Sequence, residues 1–509
     1  MTDILKSGLR RVRDFWCSPK VISPKDSVVR SASSNLTQTL GHDKVALRGT
    51  IKYAESLNSY YSAQERHISP ICVVQPSTAE DVSKFITEIA ALNTEGKPTV
   101  SFAIRAGGHM IQGGAANIEN GITLDLSKMN SVTVAEEVIS IEPGARWGNV
   151  YKTLSALGLS TPGGRVADVG VGGYLIGGGI SFFSPRKGFG CDSILNFEVV
   201  LANGTLVSAN KDENHDLFLA LKGGSNNFGV VVRFDIQGFS QGDFLGGSLI
   251  CPFSTLPDHI TAISDLTASP NYDPYASVMV TLSWDRLLGF LIQDSLVHTS
   301  GTSTKEDPPP SLQPFLDIEH SISTMRHGSV ADFGTELKIA SDIFEGKESL
   351  YATVTVKNDR EFLASISASW KTMVETLALE PSLLLANMVF EPLPTVITSK
   401  SAGLGGNSLG LQEEKDNLVV ILFIYSWASE HDSTGTIAAA EKFVRDVDNE
   451  AKEKGFGSKF TYLNYASAWQ DPIDGLGEEM KSRLRKASEK YDPQGMFQKA
   501  VPGGFKLFA

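Results

Sequence analysis

Ile104-Arg-Ala-Gly-Gly-His109 and Val169-Gly-Val-Gly-Gly-Tyr174-Leu-Ile-Gly-Gly-Gly179 are the two stretches on which the reading of this 509-residue chain turns. Gly113-Gly114 and Gly163-Gly164 lie between them. Without a Cβ, glycine lets backbone N–H groups approach a ligand closely and converge on it, which is how a pyrophosphate is held with little side-chain charge. A single glycine pair reads first as a tight turn in a glycine-rich fold. Two clusters in one region read as a dinucleotide site. Gly170-Val-Gly172 resembles the opening of a nucleotide-binding βαβ fingerprint, but the acidic residue about 20 positions on, Asp192, follows Gly188-Phe-Gly-Cys191 instead of ending a strand.

Working outward, the segment from Val73 to Phe239 alternates helices with short β-branched runs. Thr78–Ala91 reads as an amphipathic helix, with Ser77 and Thr78 at its start, Glu80 and Asp81 in its first turn, and Val82, Phe85, Ile86 and Ile89 on one face. Strands are expected over Thr99–Arg105, Gly121–Leu126 and Val138–Pro143, and a helix over Trp147–Leu157. Beyond residue 240 the glycine density falls. There, strands are expected at Ser277–Trp284, Leu350–Lys357 and Leu418–Trp427, with helices at Glu361–Leu377 and Gly435–Lys452, giving one antiparallel sheet covered by helices. Ser399–Gly410, glycine-rich and without apolar period, reads as a lid or a mobile connection. The fold class is α+β.

The whole chain carries 45 Lys and Arg against 58 Asp and Glu, a net charge of −13, which argues against a nucleic-acid partner. No run approaches the roughly 20 apolar residues that span a bilayer. Met1–Trp16 carries Lys6, Arg10, Arg11 and Arg13 among its apolar residues and lacks a secretory core, so a cytoplasmic protein without a membrane partner is expected. Cys17, Cys72, Cys191 and Cys251 have no metal-ligand spacing and no metal is expected, while a Cys17–Cys72 bridge stays open.

The chain also resembles a known family. Gln75-Pro-Ser-Thr-Ala-Glu-Asp-Val82, Ile104–His109, Leu124-Asp-Leu-Ser127, Val169–Gly179, Gly188-Phe-Gly-Cys-Asp192, Val199–Gly204 and Asp216–Gly224 with Asn227-Phe-Gly-Val-Val231 are similar, in order, to the FAD-binding module of the vanillyl-alcohol oxidase and para-cresol methylhydroxylase (PCMH) superfamily, in its berberine-bridge-enzyme-like branch. The resemblance resumes at Tyr462-Leu-Asn-Tyr465 and Tyr491-Asp-Pro-Gln-Gly-Met-Phe497, and is thin between about 240 and 455. It implies a PCMH-type FAD-binding domain over 1–239 with its core at about 68–239, a substrate domain over 240–457, and a C-terminal return over 458–509.

The resemblance further implies FAD held by one covalent bond through His109. A neutral imidazole is a nucleophile, and a covalent link retains the cofactor and raises its potential. Relatives often make a second link from a cysteine three residues before the Val-Gly-x-Gly-Gly stretch; here that position is Val166, which cannot bond to flavin. The remaining cofactor contacts expected are Arg105, Ala106, Gly107, Gly108, Met110, Gly164, Val169, Gly170, Gly172, Gly173, Tyr174, Gly177, Gly178, Gly179, Val231 and Asn464.

In such enzymes hydride passes from substrate to flavin while a base takes a proton. Tyr462, Asn464 and Tyr465 are the catalytic candidates. Tyr462-Leu-Asn464 reads as a strand that points Tyr462 and Asn464 together, with Tyr465 elsewhere or flanking, and a tyrosine base would need a neighbour to lower its pKa. The function expected is an oxidase acting on a small natural-product intermediate, with O2 as acceptor. A flavin dehydrogenase and a ligand-templating cyclase without net redox are the rivals.

Overall fold

The computed structural model describes residues 24–93, 100–428 and 434–508. Met1–Trp16 and Cys17 lie outside the described residues; Cys72 is a buried free thiol. A four-stranded sheet runs in the order Val45–Leu47, Cys72–Val74, Ile122–Asp125, Phe102–Arg105. Its last three strands are parallel, so the loop holding His109 leaves the sheet at a strand's C-terminal end, where ligand crevices form in open α/β sheets. The helix Ala79–Leu92 covers it. Thr78 and Asp81 close a capping box at its start, worth about 1 kcal/mol, and Val82, Phe85, Ile86 and Ile89 are fully buried. Phe497, Ala500 and Val501 return to the same core, and Phe102 N–H donates to Ala500 O at 2.8 Å.

Beside it an antiparallel sheet runs Val132–Ala135, Val138–Ile141, Val230–Gln237, Ile194–Val200, Leu206–Asn210. Within this second sheet's sequence, between Val138–Ile141 and Ile194–Val200, lies the second glycine stretch, of which Val171–Ile176 forms a short helix.

The third sheet is antiparallel and eight-stranded. Its central order is Phe244–Pro252, Gly289–His298, Ala276–Asp285, Leu383–Leu393, Leu418–Trp427, Glu348–Lys357. Side chains alternate across a strand, and here the two faces differ in chemistry. Val280, Leu282, Met388, Phe390, Ile421 and Phe423 face the helices Leu256–Ala268, Arg360–Leu377 and Thr434–Glu453 in one core. Thr281, Ser283, Gln293, Asn387, Glu391 and Ser426 face the opposite way, into a cavity. Truncating Trp370, fully buried on the helix side, would cost about 3–5 kcal/mol.

The mixed architecture and the helix-covered antiparallel sheet are those expected. Strands Phe244–Pro252, Gly289–His298 and Leu383–Leu393 were not foreseen. Gly246-Gly247 interrupts the first, and the cavity-facing polar residues dilute the other two. Ser399–Gly410 is neither lid nor loose connection. Asn407 Nδ2 donates to Asp192 at 2.8 Å and Leu409 packs on Gly178 and Gly223, so the segment is strapped to the glycine-rich region. No helix among the described residues is long and apolar enough to cross a membrane.

Candidate active site

A cavity of about 840 Å³ lies between the glycine loops and the polar face of the eight-stranded sheet. Its floor is built where the two loops touch. A Cβ on Gly107 would fall 2.4 Å from Gly170 Cα, and one on Gly170 would fall 2.5 Å from Gly107 Cα, so neither position accepts a side chain. Arg146 locks the pair: its Nη2 donates to Gly107 O at 2.9 Å while its Nη1 meets Asp168 at 2.7 Å. Tyr61 N–H donates to Gly108 O at 2.9 Å, and the Tyr61 ring stacks on His109 with centroids 4.2 Å apart.

His109 lines this cavity, and its Nε2 is buried without a hydrogen-bond partner. Burial, with the Arg146 charge in support, pulls its pKa down to about 4. The ring is therefore neutral at physiological pH and retains a nucleophilic lone pair. Val166 also lines the cavity, and Cys191 does not; burial pushes the Cys191 thiol well up, keeping it protonated.

Of the expected cofactor residues, Ala106, Gly107, Gly108, Met110, Gly164, Val169, Gly170, Gly172, Gly173, Tyr174, Val231 and Asn464 line the cavity with His109. Arg105 does not. Its guanidinium turns into the core, donating to Ser56 O at 2.6 Å and Ser59 Oγ at 2.7 Å, 3.6 Å from Asp125 and over the Tyr60 ring. It anchors the loop from behind. Gly177, Gly178 and Gly179 are also set back: their missing Cβ atoms make room for Asn464, Leu409 and Tyr174. These three are packing glycines rather than cavity-lining ones.

The tyrosine segment is a 3-10 turn, Leu463–Tyr465, and not a strand. Tyr462 and Asn464 do meet, Asn464 Nδ2 donating to Tyr462 Oη at 3.1 Å, and Ile180 N–H donates to the same oxygen at 2.9 Å. Because a 3-10 turn brings residues three apart together, Tyr465 joins them, edge-on to Tyr462 with centroids 4.7 Å apart. All three line the cavity.

Two residues that the sequence reading missed complete the group. Arg165 Nη2 donates to Tyr465 Oη at 2.6 Å and lies 2.9 Å from both oxygens of Glu391, and Tyr465 Oη donates to Glu391 Oε1 at 2.9 Å. Arg165 and Glu391 are both buried, and breaking such a pair costs about 3–5 kcal/mol. Glu391 was signalled by a lone carboxylate within the apolar run Leu383–Leu393. Arg165 was in plain view beside Val166. Burial raises the hydroxyl pKa of both Tyr462 and Tyr465, so neither is a phenolate at neutral pH. The neighbour that a tyrosine base would need is Arg165 for Tyr465, but its charge does not offset burial.

These features fit FAD. The touching glycine loops give the close backbone approach a pyrophosphate needs, and the neutral His109, with its Nε2 unpartnered, is part of the cavity wall.

Residues 70–210 match the family model described as FAD binding domain. The FAD-dependent monooxygenase drtC of Aspergillus calidoustus is 35% identical over 488 residues, covering 94% of this chain and 90% of that protein. The chain belongs with drtC to one family of FAD-dependent oxidoreductases, and its fold is that of the berberine-bridge-enzyme-like enzymes. The FAD-dependent monooxygenase sdcF of Emericella nidulans is 36% identical to this oxidoreductase, covering 93% and 97%. Among solved structures, its fold is shared by 6-hydroxy-D-nicotine oxidase from Arthrobacter nicotinovorans, with TM-score 0.74, 19% identity and coverage of 90% and 96%. The xylooligosaccharide oxidase from Myceliophthora thermophila shares it too, with TM-score 0.76, 19% identity and coverage of 94% and 99%.

Proposed function

We propose that this FAD-linked oxidoreductase holds its flavin by one covalent bond through His109 and oxidises a small natural-product intermediate by two electrons, with O2 as acceptor. The observation that carries the reading is the neutral His109 ring, buried in the cavity wall with Nε2 unpartnered. Val166 at the position of a second link makes the tether single. The flavin, when bound, supplies the two-electron acceptor.

The protein's own residues supply the proton path. With both tyrosine hydroxyls protonated, the base is the Glu391 carboxylate, reached through Tyr465. As a substrate O–H or N–H gives its proton to Tyr465 Oη, the Tyr465 proton moves to Glu391 Oε1, 2.9 Å away. Arg165 holds both acceptors in line and stabilises negative charge on Tyr465 during the transfer. Tyr462, fixed by Ile180 N–H and Asn464, shapes the adjacent wall. The sheet face bearing Thr281, Gln293 and the Ser283–Asn387 pair, 2.7 Å apart, offers hydroxyl and amide partners to an oxygenated substrate.

A second reading follows from the relatives named monooxygenases: one oxygen atom of O2 enters the product. Turnover under 18O2 with H2O2 measured in parallel separates the two. The oxidase reading expects about one H2O2 per product and no label from O2; label in the product with little H2O2 would replace it.

A further inference from the structure

On the face of the eight-stranded sheet turned away from the cavity, Cys251, His259 and Asp294 are all buried and bring a sulfur, a ring nitrogen and a carboxylate oxygen within 4.8 Å of one another. The strand register creates this. Leu249 pairs with Asp294, so Cys251, two residues on, is the diagonal neighbour of Asp294 on the same face. His259 is delivered from above by the helix Leu256–Ala268.

The hydrogen bonding at His259 is that of a metal ligand. Nδ1 lies 2.9 Å from Thr255 O, and a carbonyl only accepts, so Nδ1 carries a proton. That bond fixes the ring and turns Nε2 toward Asp294 Oδ2, 3.1 Å away. A lone pair facing a carboxylate oxygen at this distance needs positive charge between them, either a proton or a metal ion. A proton leaves Asp294 Oδ1 unsatisfied; that oxygen is buried with no hydrogen-bond partner. A cation bound by Cys251 Sγ, His259 Nε2 and the Asp294 carboxylate supplies that positive charge and compensates the unpartnered carboxylate.

We propose that Cys251, His259 and Asp294 form a structural site for a borderline-soft divalent cation of the zinc class. Thiolate and imidazole select such an ion over magnesium or calcium. Thiolate and carboxylate together balance its double charge, and binding releases the thiol proton and any proton on Nε2 to solvent. Donors in a tetrahedral zinc site lie roughly 3.3–3.8 Å apart, given bonds of about 2.0–2.3 Å, so the widest spacing closes by up to roughly 1.5 Å on loading. The bound ion pins the helix Leu256–Ala268 to the strand Gly289–His298, whose Gln293 and Ser295 line the cavity on the other face.

The test uses the flavin-loaded protein, dialysed against a chelator, incubated with Zn2+ alone and desalted. About one zinc per chain should remain, and absorption at the zinc edge should show one sulfur neighbour at about 2.3 Å. Cys251→Ser and, separately, His259→Gln should weaken retention roughly tenfold or more with flavin absorbance unchanged. If either variant fails to fold, the other variant and the wild-type edge spectrum decide. No zinc on the wild-type protein, a zinc shell without sulfur, or retention undiminished in both variants would overturn the proposal.

Discussion

His109 is stacked on Tyr61, ring centroids 4.2 Å apart and planes 18° from parallel, with the Tyr61 hydroxyl tied to Ser341 O at 3.0 Å. The imidazole is thus backed by a tyrosine ring that the helix Val330–Asp342 holds in place. Tyr61→Ala should leave the protein folded and able to bind FAD, but slow covalent attachment, because the ring loses the surface that orients it. The check is the acid-stable fraction of flavin against time after FAD is added to flavin-free protein. An unchanged rate would remove Tyr61 from the account.

The Arg165–Glu391–Tyr465 group predicts a shared catalytic role. Tyr465→Phe keeps the buried ion pair and removes only the relay, so it should fold normally and lower kcat by roughly 10²–10⁴-fold. Glu391→Gln should lose a similar amount, and the double variant little more than either alone, since the two act as a unit. Steady-state rates of the three variants decide this. Additive losses would mean that Tyr465 and Glu391 work separately.

The contact between Gly107 and Gly170 predicts that Gly107→Ala pushes the two loops apart. The overpacking cost is about 1–3 kcal/mol, and the altered floor should reduce FAD retention. Gly114→Ala makes the control, because nothing lies within 4 Å of a Cβ there, although its φ of +84° carries its own strain. Flavin content and Tm of both variants separate crowding from strain.

The His109 pKa gives a pH prediction for the flavin-free protein. Its folded value, about 4, lies below the ordinary value of 6.5. Above pH 6.5 both states hold the ring neutral and His109 contributes nothing to the pH dependence. As pH falls from 6.5 toward 4 the unfolded chain takes up a proton that the folded one refuses, and stability is lost. Flavin-free His109→Ala should therefore lose less Tm than wild type between pH 7 and 5. Parallel curves would contradict the burial argument.

Much of the cofactor side was legible because it rests on backbone chemistry. Glycines that cannot carry a Cβ, a capping box at Thr78–Asp81 and short runs such as Val138–Ile141 are local signals. The catalytic side was less legible. Tyr462, Asn464 and Tyr465 stood out, but their turn was read as a strand because three residues carry no period. Glu391 and Arg165 are 226 positions apart and meet only through the packing of the eight-stranded sheet on the glycine loops. Arg105 misled for the opposite reason: it sits next to the cofactor loop in sequence, while its side chain serves the core behind it.

The single tether at His109 is tested most directly by acid precipitation of the purified protein. The wild type should keep its flavin absorbance in the pellet, and His109→Ala should release all of it to the supernatant. Acid-stable flavin in His109→Ala, or none in the wild type, would contradict the account.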